Sequence, residues 1–213
     1  MLDPLQERIA RVALAMPGAE SLALAGGGAM LAHRLVERPT QDVDMFTPED
    51  EVPALADALL AVLESDDLFV VVEVHTSTYV RLTVTEPSGR ACKVELARDA
   101  RIRPPVRLDI GAVLHQEEIA ADKMLALFGR AAARDFVDVA ALLRTFPAER
   151  LLDLAAEKDP GFDRRYFAAA LRSIDRLDDE DFTALGLPSA DVAALRDQAR
   201  SWAGALEADS DKS

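Results

Sequence analysis

Two aspartates separated by a single residue, Asp42 and Asp44, lie in the run Asp-Val-Asp-Met-Phe. In an extended strand successive side chains point to opposite faces, so both carboxylates should share one face while Val43 and Met45 point toward a core. Carboxylate oxygens are the ligands that Mg²⁺ prefers, and it usually takes one or two of them together with substrate phosphates. The pair therefore predicts a magnesium site on one face of a strand.

Three consecutive glycines, Gly26, Gly27 and Gly28, precede this pair and close a short apolar run. Because glycine has no Cβ, its backbone N–H groups can approach a phosphate closely. A glycine run on its own is more often a flexible turn than a phosphate loop. Here it is followed by a helical segment and then by the carboxylate pair, and this order favours nucleotidyl transfer.

A third carboxylate is expected from Glu95, in the alternating run Lys-Val-Glu-Leu. Val94 and Leu96 should share the buried face of this strand, with Glu95 on the other. If the strand pairs beside the aspartates, Glu95 joins the same metal cluster and is a candidate to accept the proton of an attacking hydroxyl. The equally weighted alternative is an ion pair with Lys93 or with a cross-strand arginine such as Arg81.

A second group of charged residues lies in the helical half of the sequence. Lys123 and Arg130 are about two helical turns apart and so share a face of one predicted helix. Asp135 and Asp138 share a face of the next. A lysine placed in this way could neutralise a triphosphate as charge builds on the leaving pyrophosphate. The spacing alone favours a simpler alternative, in which both helices are solvated and Arg134 pairs with Asp138.

Several catalytic signatures are absent from the sequence. There is no Gly-x-Ser-x-Gly elbow, no P-loop, and no Gly-x-Gly-x-x-Gly after a predicted strand. The three histidines show no metal-ligand spacing, which favours surface or structural roles. The single cysteine, Cys92, lies in an alternating run that predicts a small buried side chain. These observations exclude the serine hydrolase, P-loop and Rossmann interpretations.

The chain of 213 residues has a formal net charge of −14. This charge argues against tight nonspecific nucleic-acid binding, which depends on Lys and Arg. One segment is locally basic and is a candidate path for a nucleic-acid end, through Arg98, Arg101, Arg103 and Arg107. No apolar run is long enough to span a membrane and the start lacks a basic signal-peptide region, so we expect a cytoplasmic protein without a membrane partner.

Periodicity predicts an α+β protein, in which a mixed β-sheet core flanked by helices carries a helical C-terminal bundle. Strands are predicted at residues 22–25, 42–46, 68–74, 79–85 and 90–97. Helices are predicted at residues 4–16, 29–36, 48–63 (with Thr47 as N-cap), 117–128, 134–146, 148–158, 163–174 and 189–206. We therefore expect an α/β core over residues 1–115, a helical domain over 116–206 and a disordered tail over 207–213.

Together these blocks resemble the nucleotidyltransferases of the AbiEii/AbiGii toxin family, which includes the MenT toxins, in the DNA-polymerase-β-like superfamily. The glycine run followed by Ala29 is similar to the family's Gly-Gly-[Ser/Thr]-Ala loop. The run from Arg38 to Phe46 is similar to its Arg-x-[Ser/Thr]-x-Asp-x-Asp-x-Phe motif. More specific are the block from Glu117 to Arg130 and the Arg-Asp-x-x-Asp block that follows. The resemblance covers about residues 20–145.

The resemblance implies Mg²⁺-dependent transfer of NMP from an NTP to a hydroxyl, with release of pyrophosphate. Asp42, Asp44 and Glu95 would hold the metal ions, of which one lowers the pKa of the hydroxyl and another stabilises the leaving oxygen. Lys123 would bind the triphosphate, and Asp138 or Asp135 would orient Lys123 or a bound ligand. The implied nucleotide-binding residues are Gly26, Gly27, Gly28, Thr40, Lys123, Arg130 and Asp135.

The resemblance also implies a toxin of a toxin–antitoxin or phage-defence system, with a tRNA 3′ end as acceptor and a cognate antitoxin as partner. One departure is Gly28, where the family has a Ser or Thr whose hydroxyl is expected to contact a nucleotide phosphate. Two alternatives follow. A small-molecule nucleotidyltransferase of the antibiotic-modifying kind is favoured by the net charge, and a degenerate fold acting as a binding module is suggested by Gly28.

Overall fold

The structure, a computed structural model, describes residues 1–210. The chain divides into two compact units, one over Met1–Ile119 and one from Ala120 onward. The first unit is built on a β-sheet, and the second is helical. This architecture confirms the predicted α+β class, with a mixed sheet followed by C-terminal helices.

The sheet of the first unit has seven strands. They are β1 (Ala23–Leu24), β2 (Asp42–Thr47), β3 (Phe69–His75), β4 (Tyr79–Thr85), β5 (Ala91–Arg98), β6 (Val106–Leu108) and β7 (Gly111–Val113). Their order in the sheet is β3-β4-β5-β2-β1-β7-β6. Two neighbouring pairs, β2 with β5 and β1 with β7, are parallel, and the others are antiparallel. The helices are α1 (Pro4–Ala15), α2 (Gly26–Ala32), α3 (Val52–Ser65) and the start of α4 (Gln116–Gly129).

One face of the central strands forms the core of this unit. Val43 and Met45 of β2 and Val94 and Leu96 of β5 are fully buried, while the residues between them are exposed or half-buried. Helices α1 and α3 pack against the sheet. The alternation of the sequence therefore gives a sheet with one apolar, covered face and one polar, open face.

Helix α1 anchors the segment that leads into β2. Asp3 caps the helix by accepting hydrogen bonds from the amides of Leu5 and Gln6. The side chain of the buried Gln6 makes two hydrogen bonds. Its Oε1 accepts from the Asp3 amide, and its Nε2 donates to the Thr40 carbonyl oxygen at 2.9 Å. The N-terminal cap thus also fixes the backbone two residues before Asp42.

The second unit consists of helices around an apolar core. Phe162 lies 5.2 Å from Phe128 and 5.4 Å from Phe167, measured between ring centroids, and Phe167 lies 5.3 Å from Trp202. Besides the rest of α4, the helices are α5 (Ala133–Leu142), α6 (Ala148–Lys158), α7 (Arg164–Arg172), a 3₁₀ turn (Ser173–Arg176), α8 (Asp179–Thr183) and α9 (Ser189–Ser210). Helix α9 packs along α7 and also contacts α5 and α8.

Three local predictions were wrong. Helix α2 spans Gly26–Ala32 and not 29–36, so the glycines form its first turn. Helix α3 begins at Val52, because Thr47 is the buried last residue of β2 and its hydroxyl accepts a bond from the Glu49 amide. Strands β6 and β7 lie within or just after the segment interpreted as a basic loop. Each has three residues, too few for a visible period.

Residues 207–210 of the expected tail continue α9, and residues 211–213 lie outside the described part of the chain. Among the described residues, no helix combines the length and apolar character needed to cross a bilayer.

Candidate functional site

The parallel pairing of β2 with β5 brings three carboxylates together on the open face. Asp42 is the cross-strand partner of Lys93, and Asp44 is the partner of Glu95. Residues paired in this way point to the same side of a sheet, on strands about 4.8 Å apart. All three acids are half-buried. This group, Asp42, Asp44 and Glu95, is called the carboxylate cluster.

Glu95 both borders the aspartates and forms a cross-strand ion pair, the two arrangements that its position in the sequence allowed. It lies beside Asp44, and it also accepts a salt bridge from Arg81 Nε at 2.9 Å across the β4–β5 pair. Lys93 is not its partner. Burial, and then the nearby Glu95 carboxylate, raises the pKa of Tyr79 on the same face. Arg81 therefore orients a carboxylate that still borders the aspartates.

The first turn of α2 packs directly against Asp44. Gly26 has a φ of +55°, and a Cβ there would lie 1.7 Å from Asp44 Oδ2. The Ala25 amide donates to the Asp44 carbonyl oxygen at 2.8 Å. Only glycine combines this conformation with this approach. The missing side chain lets the Asp44 carboxylate lie against the backbone at the start of α2. The all-oxygen donor set of the carboxylate cluster suits Mg²⁺.

The next two glycines have different neighbours. A Cβ on Gly27 would lie 2.5 Å from Thr40 Oγ1, and that hydroxyl donates to Asp42 Oδ1 at 3.0 Å. A Cβ on Gly28 would instead meet Leu24 Cδ1 at 3.0 Å. The Cβ of a Ser or Thr at position 28 would therefore contact apolar side chains. This weakens the argument that Gly28 marks a degenerate site.

Two aspartates of the second unit are fully buried and paired with cations, Asp138 with a buried lysine and Asp135 with an exposed arginine. Lys123 Nζ lies 2.9 Å from Asp138 Oδ2, and these side chains are 10% and 0% exposed. Arg130 donates to both oxygens of Asp135 at 2.9 and 2.7 Å, and Asp135 also accepts a bond from the Ala132 amide. The simpler alternative of solvated helices is wrong, because both aspartates are fully buried.

Several arginines of the basic segment have partners within the protein. Arg101 donates to the Phe46 carbonyl oxygen, and Arg103 forms a salt bridge with Glu117 at 2.8 Å. Arg98 pairs with Asp50 at the surface. Arg101 and Arg103 therefore tie the segment to the protein, whereas Arg107 on β6 is exposed. A role of this segment in guiding a nucleic-acid end stays a prediction.

Sequence reasoning assigned no role to Glu118, which anchors the same segment. Its side chain is fully buried, and Oε2 accepts hydrogen bonds from the amides of Ile102 and Arg103 at 2.9 and 2.8 Å. A buried carboxylate with two amide donors fixes a loop that lacks regular structure. The pair of glutamates that opens α4 was the signal that could have indicated this role.

The cysteine and one histidine have the structural roles that were expected. Cys92 is buried, and burial raises the pKa of its thiol to about 12, so it is no nucleophile. His33 Nε2 lies 2.8 Å from the Leu114 carbonyl oxygen. Burial lowers the pKa of His33, which favours the neutral ring that links the end of α2 to the segment after β7.

Comparison with known proteins agrees with this geometry. The family model described as nucleotidyl transferase AbiEii toxin, Type IV TA system, matches residues 9–212. No curated protein matches the sequence.

Solved structures with this fold include a candidate nucleotidyltransferase from H. pylori, with a TM-score of 0.64 and 20% identity over 95% of each chain. JHP933 from Helicobacter pylori has a TM-score of 0.62 and 19% identity, over 100% of this chain and 97% of its own. The nucleotidyltransferase toxin MenT4 from Mycobacterium tuberculosis has a TM-score of 0.56 and 20% identity, over 98% and 86%. At these identities the structures show the fold, whereas the family model spans nearly the whole chain and confirms the resemblance drawn from the motifs. The chain belongs to the AbiEii family of nucleotidyltransferase toxins.

Proposed function

We propose that this nucleotidyltransferase uses Mg²⁺ to transfer NMP from an NTP to a hydroxyl of an RNA acceptor, with tRNA 3′ ends as the expected substrate. The observation that carries the proposal is the register of β2 and β5, which aligns Asp44 with Glu95 and leaves Asp42 on the same open face. The contact of Gly26 with Asp44 supports a close approach of the nucleotide at this point.

Asp42, Asp44 and Glu95 are assigned to metal binding. Thr40 orients Asp42 through its hydroxyl, and Arg81 orients Glu95. Bound Mg²⁺ would supply charge stabilisation at the phosphates and lower the pKa of the acceptor hydroxyl. These orienting contacts favour a preformed site, in which the carboxylates need little rearrangement when substrate arrives.

In the transfer step, the acceptor oxygen bonds to the α-phosphorus while the bond from that phosphorus to the bridging oxygen breaks. Pyrophosphate leaves, and the hydroxyl proton passes to Glu95 or to water. We assign the triphosphate to Lys123, with Asp138 holding its ammonium. The other nucleotide contacts are assigned to Gly26, Gly27, Gly28 and Thr40. Arg130 and Asp135 bind each other and are assigned to shaping the nucleotide site.

The proposed biological role is that of a toxin whose activity a cognate antitoxin counteracts. A second candidate is transfer to a small molecule. It is favoured by the net charge of −14 and by the internal contacts of Arg101 and Arg103, which leave these two arginines less available to RNA.

The metal assignment is tested by the thermal midpoint of unfolding with Mg²⁺ and each NTP. A ligand that binds only the folded state raises this midpoint by mass action, so the wild type should show a rise that needs both Mg²⁺ and nucleotide. Asp44→Ala should lose the Mg²⁺-dependent part. The same rise in Asp44→Ala as in the wild type would contradict the assignment.

A further inference from the structure

The open face of the sheet continues well beyond the carboxylate cluster. One row of cross-strand partners runs from Asp42 through Lys93 and Thr83 to Val71. The neighbouring row runs from Ala91 through Thr85 to Phe69. Because partners share a face, every residue of both rows lies on the side that carries the cluster. This surface, formed by Lys93, Thr83, Thr85, Val71 and Phe69, is called the open-face track.

The far end of the open-face track is apolar and exposed. Phe69 is 67% exposed and Val71 is 61% exposed, and both lie on β3 at the edge of the sheet. Three strand spacings separate β3 from β2, or about 14 Å. Phe69 lies in the row of Ala91, two residues along the strands from the row of Asp42 and four from the row of Asp44, so its backbone is roughly 16–20 Å from the two aspartates. A substrate several nucleotides long could span this distance.

The middle of the track carries one available cation. Lys93 is exposed, and within residues 1–210 its ammonium has no hydrogen bond or salt bridge, whereas Arg81 on the same face is engaged by Glu95. The Thr83 hydroxyl donates to Glu73 of β3. With one cation and several carboxylates, the face has no broad positive field, so a ligand must gain most of its affinity from apolar contact.

We propose that a single-stranded nucleic-acid end crosses the open-face track, with a base stacked on Phe69 and a phosphate on Lys93, and so delivers its hydroxyl to the carboxylate cluster. This inference rests on the proposed function and adds the surface that holds its acceptor. The strand must be single because a duplex hides the base faces that stack on an aromatic ring.

A protein partner is the other occupant to consider for an apolar edge strand. The position of the side chains favours nucleic acid. Phe69 and Val71 point to the face of the carboxylate cluster and are joined to it by Lys93 and hydroxyl groups in register. Proteins that bind single strands combine aromatic side chains, on which bases stack, with cations that contact the backbone.

The test is the fluorescence anisotropy of a short labelled single-stranded RNA with a free 3′ hydroxyl, titrated with the full chain. Phe69→Ala should weaken binding by about tenfold, and Phe69→Trp should retain it, because stacking needs only a ring. Lys93→Met should weaken binding and reduce the slope of log K against log salt by about 0.7, the value for one contact to a single strand.

Two control variants match the exposed ring and the exposed cation elsewhere in the chain. Tyr166, which is 72% exposed on α7, is changed to Ala, and the exposed Arg144 after α5 is changed to Met. Both should bind RNA as the wild type does. Phe69→Ala should also keep the Mg²⁺·NTP thermal shift, because the ring lies outside the nucleotide site.

Unchanged RNA affinity in Phe69→Ala, an equal loss in Tyr166→Ala, or equal binding of the matched duplex would overturn the inference. The inference would also be overturned if the wild type were a dimer and Phe69→Ala dissociated it without changing RNA binding. In that case β3 would bind a second copy of the chain. If the wild type showed no thermal shift with Mg²⁺ and NTP, that result would count against the proposed function alone. RNA binding to the open-face track is measured independently, by anisotropy.

Discussion

Gly26 shows how much of the site depends on a single missing methyl group. Its positive φ and its contact with Asp44 were not predictable, because a glycine run does not reveal which glycine meets a carboxylate. The shared face of Asp42 and Asp44 was predictable, since strand alternation is local. The pairing of Asp44 with Glu95 joins distant parts of the sequence, so the motif indicated it only as a possibility.

Gly26→Ala should abolish the Mg²⁺·NTP thermal shift, because the new Cβ displaces the Asp44 carboxylate. Gly18→Ala is the matched control: its φ of +85° is also positive, but a Cβ there meets nothing within 4 Å. Both variants should lose about 1–2 kcal/mol of stability from the strained backbone. A full thermal shift in Gly26→Ala would contradict the contact between this glycine and the metal site.

At the scale of secondary-structure elements, the buried pair of Lys123 and Asp138 joins α4 to α5. Sequence spacing predicted an Arg134–Asp138 pair because the i,i+4 rule considers a single helix. Helix packing instead aims Asp138 at α4. The same limit applies to Arg101 and Arg103, whose partners Phe46 and Glu117 belong to other elements. Periodicity predicts which elements form and not which side chains meet between them.

Lys123→Met should destabilise the protein by about 3–5 kcal/mol, because it removes the ammonium that pairs with the buried Asp138 carboxylate. The double variant Lys123→Met/Asp138→Leu should recover part of that stability, as measured by urea unfolding. Its transfer rate should stay about 10²–10³-fold below the wild type, since the charge donor to the triphosphate is still missing. A double variant with a wild-type transfer rate would show that the pair is purely structural.

At the scale of the whole molecule, the fold class and the family could be predicted because strands precede helices and the motifs have a specific order. The net charge of −14 argues for local recognition of an acceptor and against a broad electrostatic attraction. The sequence suggested that the basic segment provides this recognition, and in the structure Arg101 and Arg103 of that segment also contact other parts of the protein. The exposed ring of Phe69 was not identified because an apolar strand pattern does not show which strand lies at an edge.

The proposed function is tested by measuring the transfer of NMP to RNA. Each NTP, labelled at the α-phosphate, is incubated with total tRNA, Mg²⁺ and either the wild type or Asp44→Asn. The proposed function predicts labelled RNA and released pyrophosphate with the wild type and at least one NTP, and a loss of both with Asp44→Asn or after Mg²⁺ is chelated. Labelling that persists in Asp44→Asn, or a wild type that binds Mg²⁺·NTP but labels no RNA with any NTP, would contradict it.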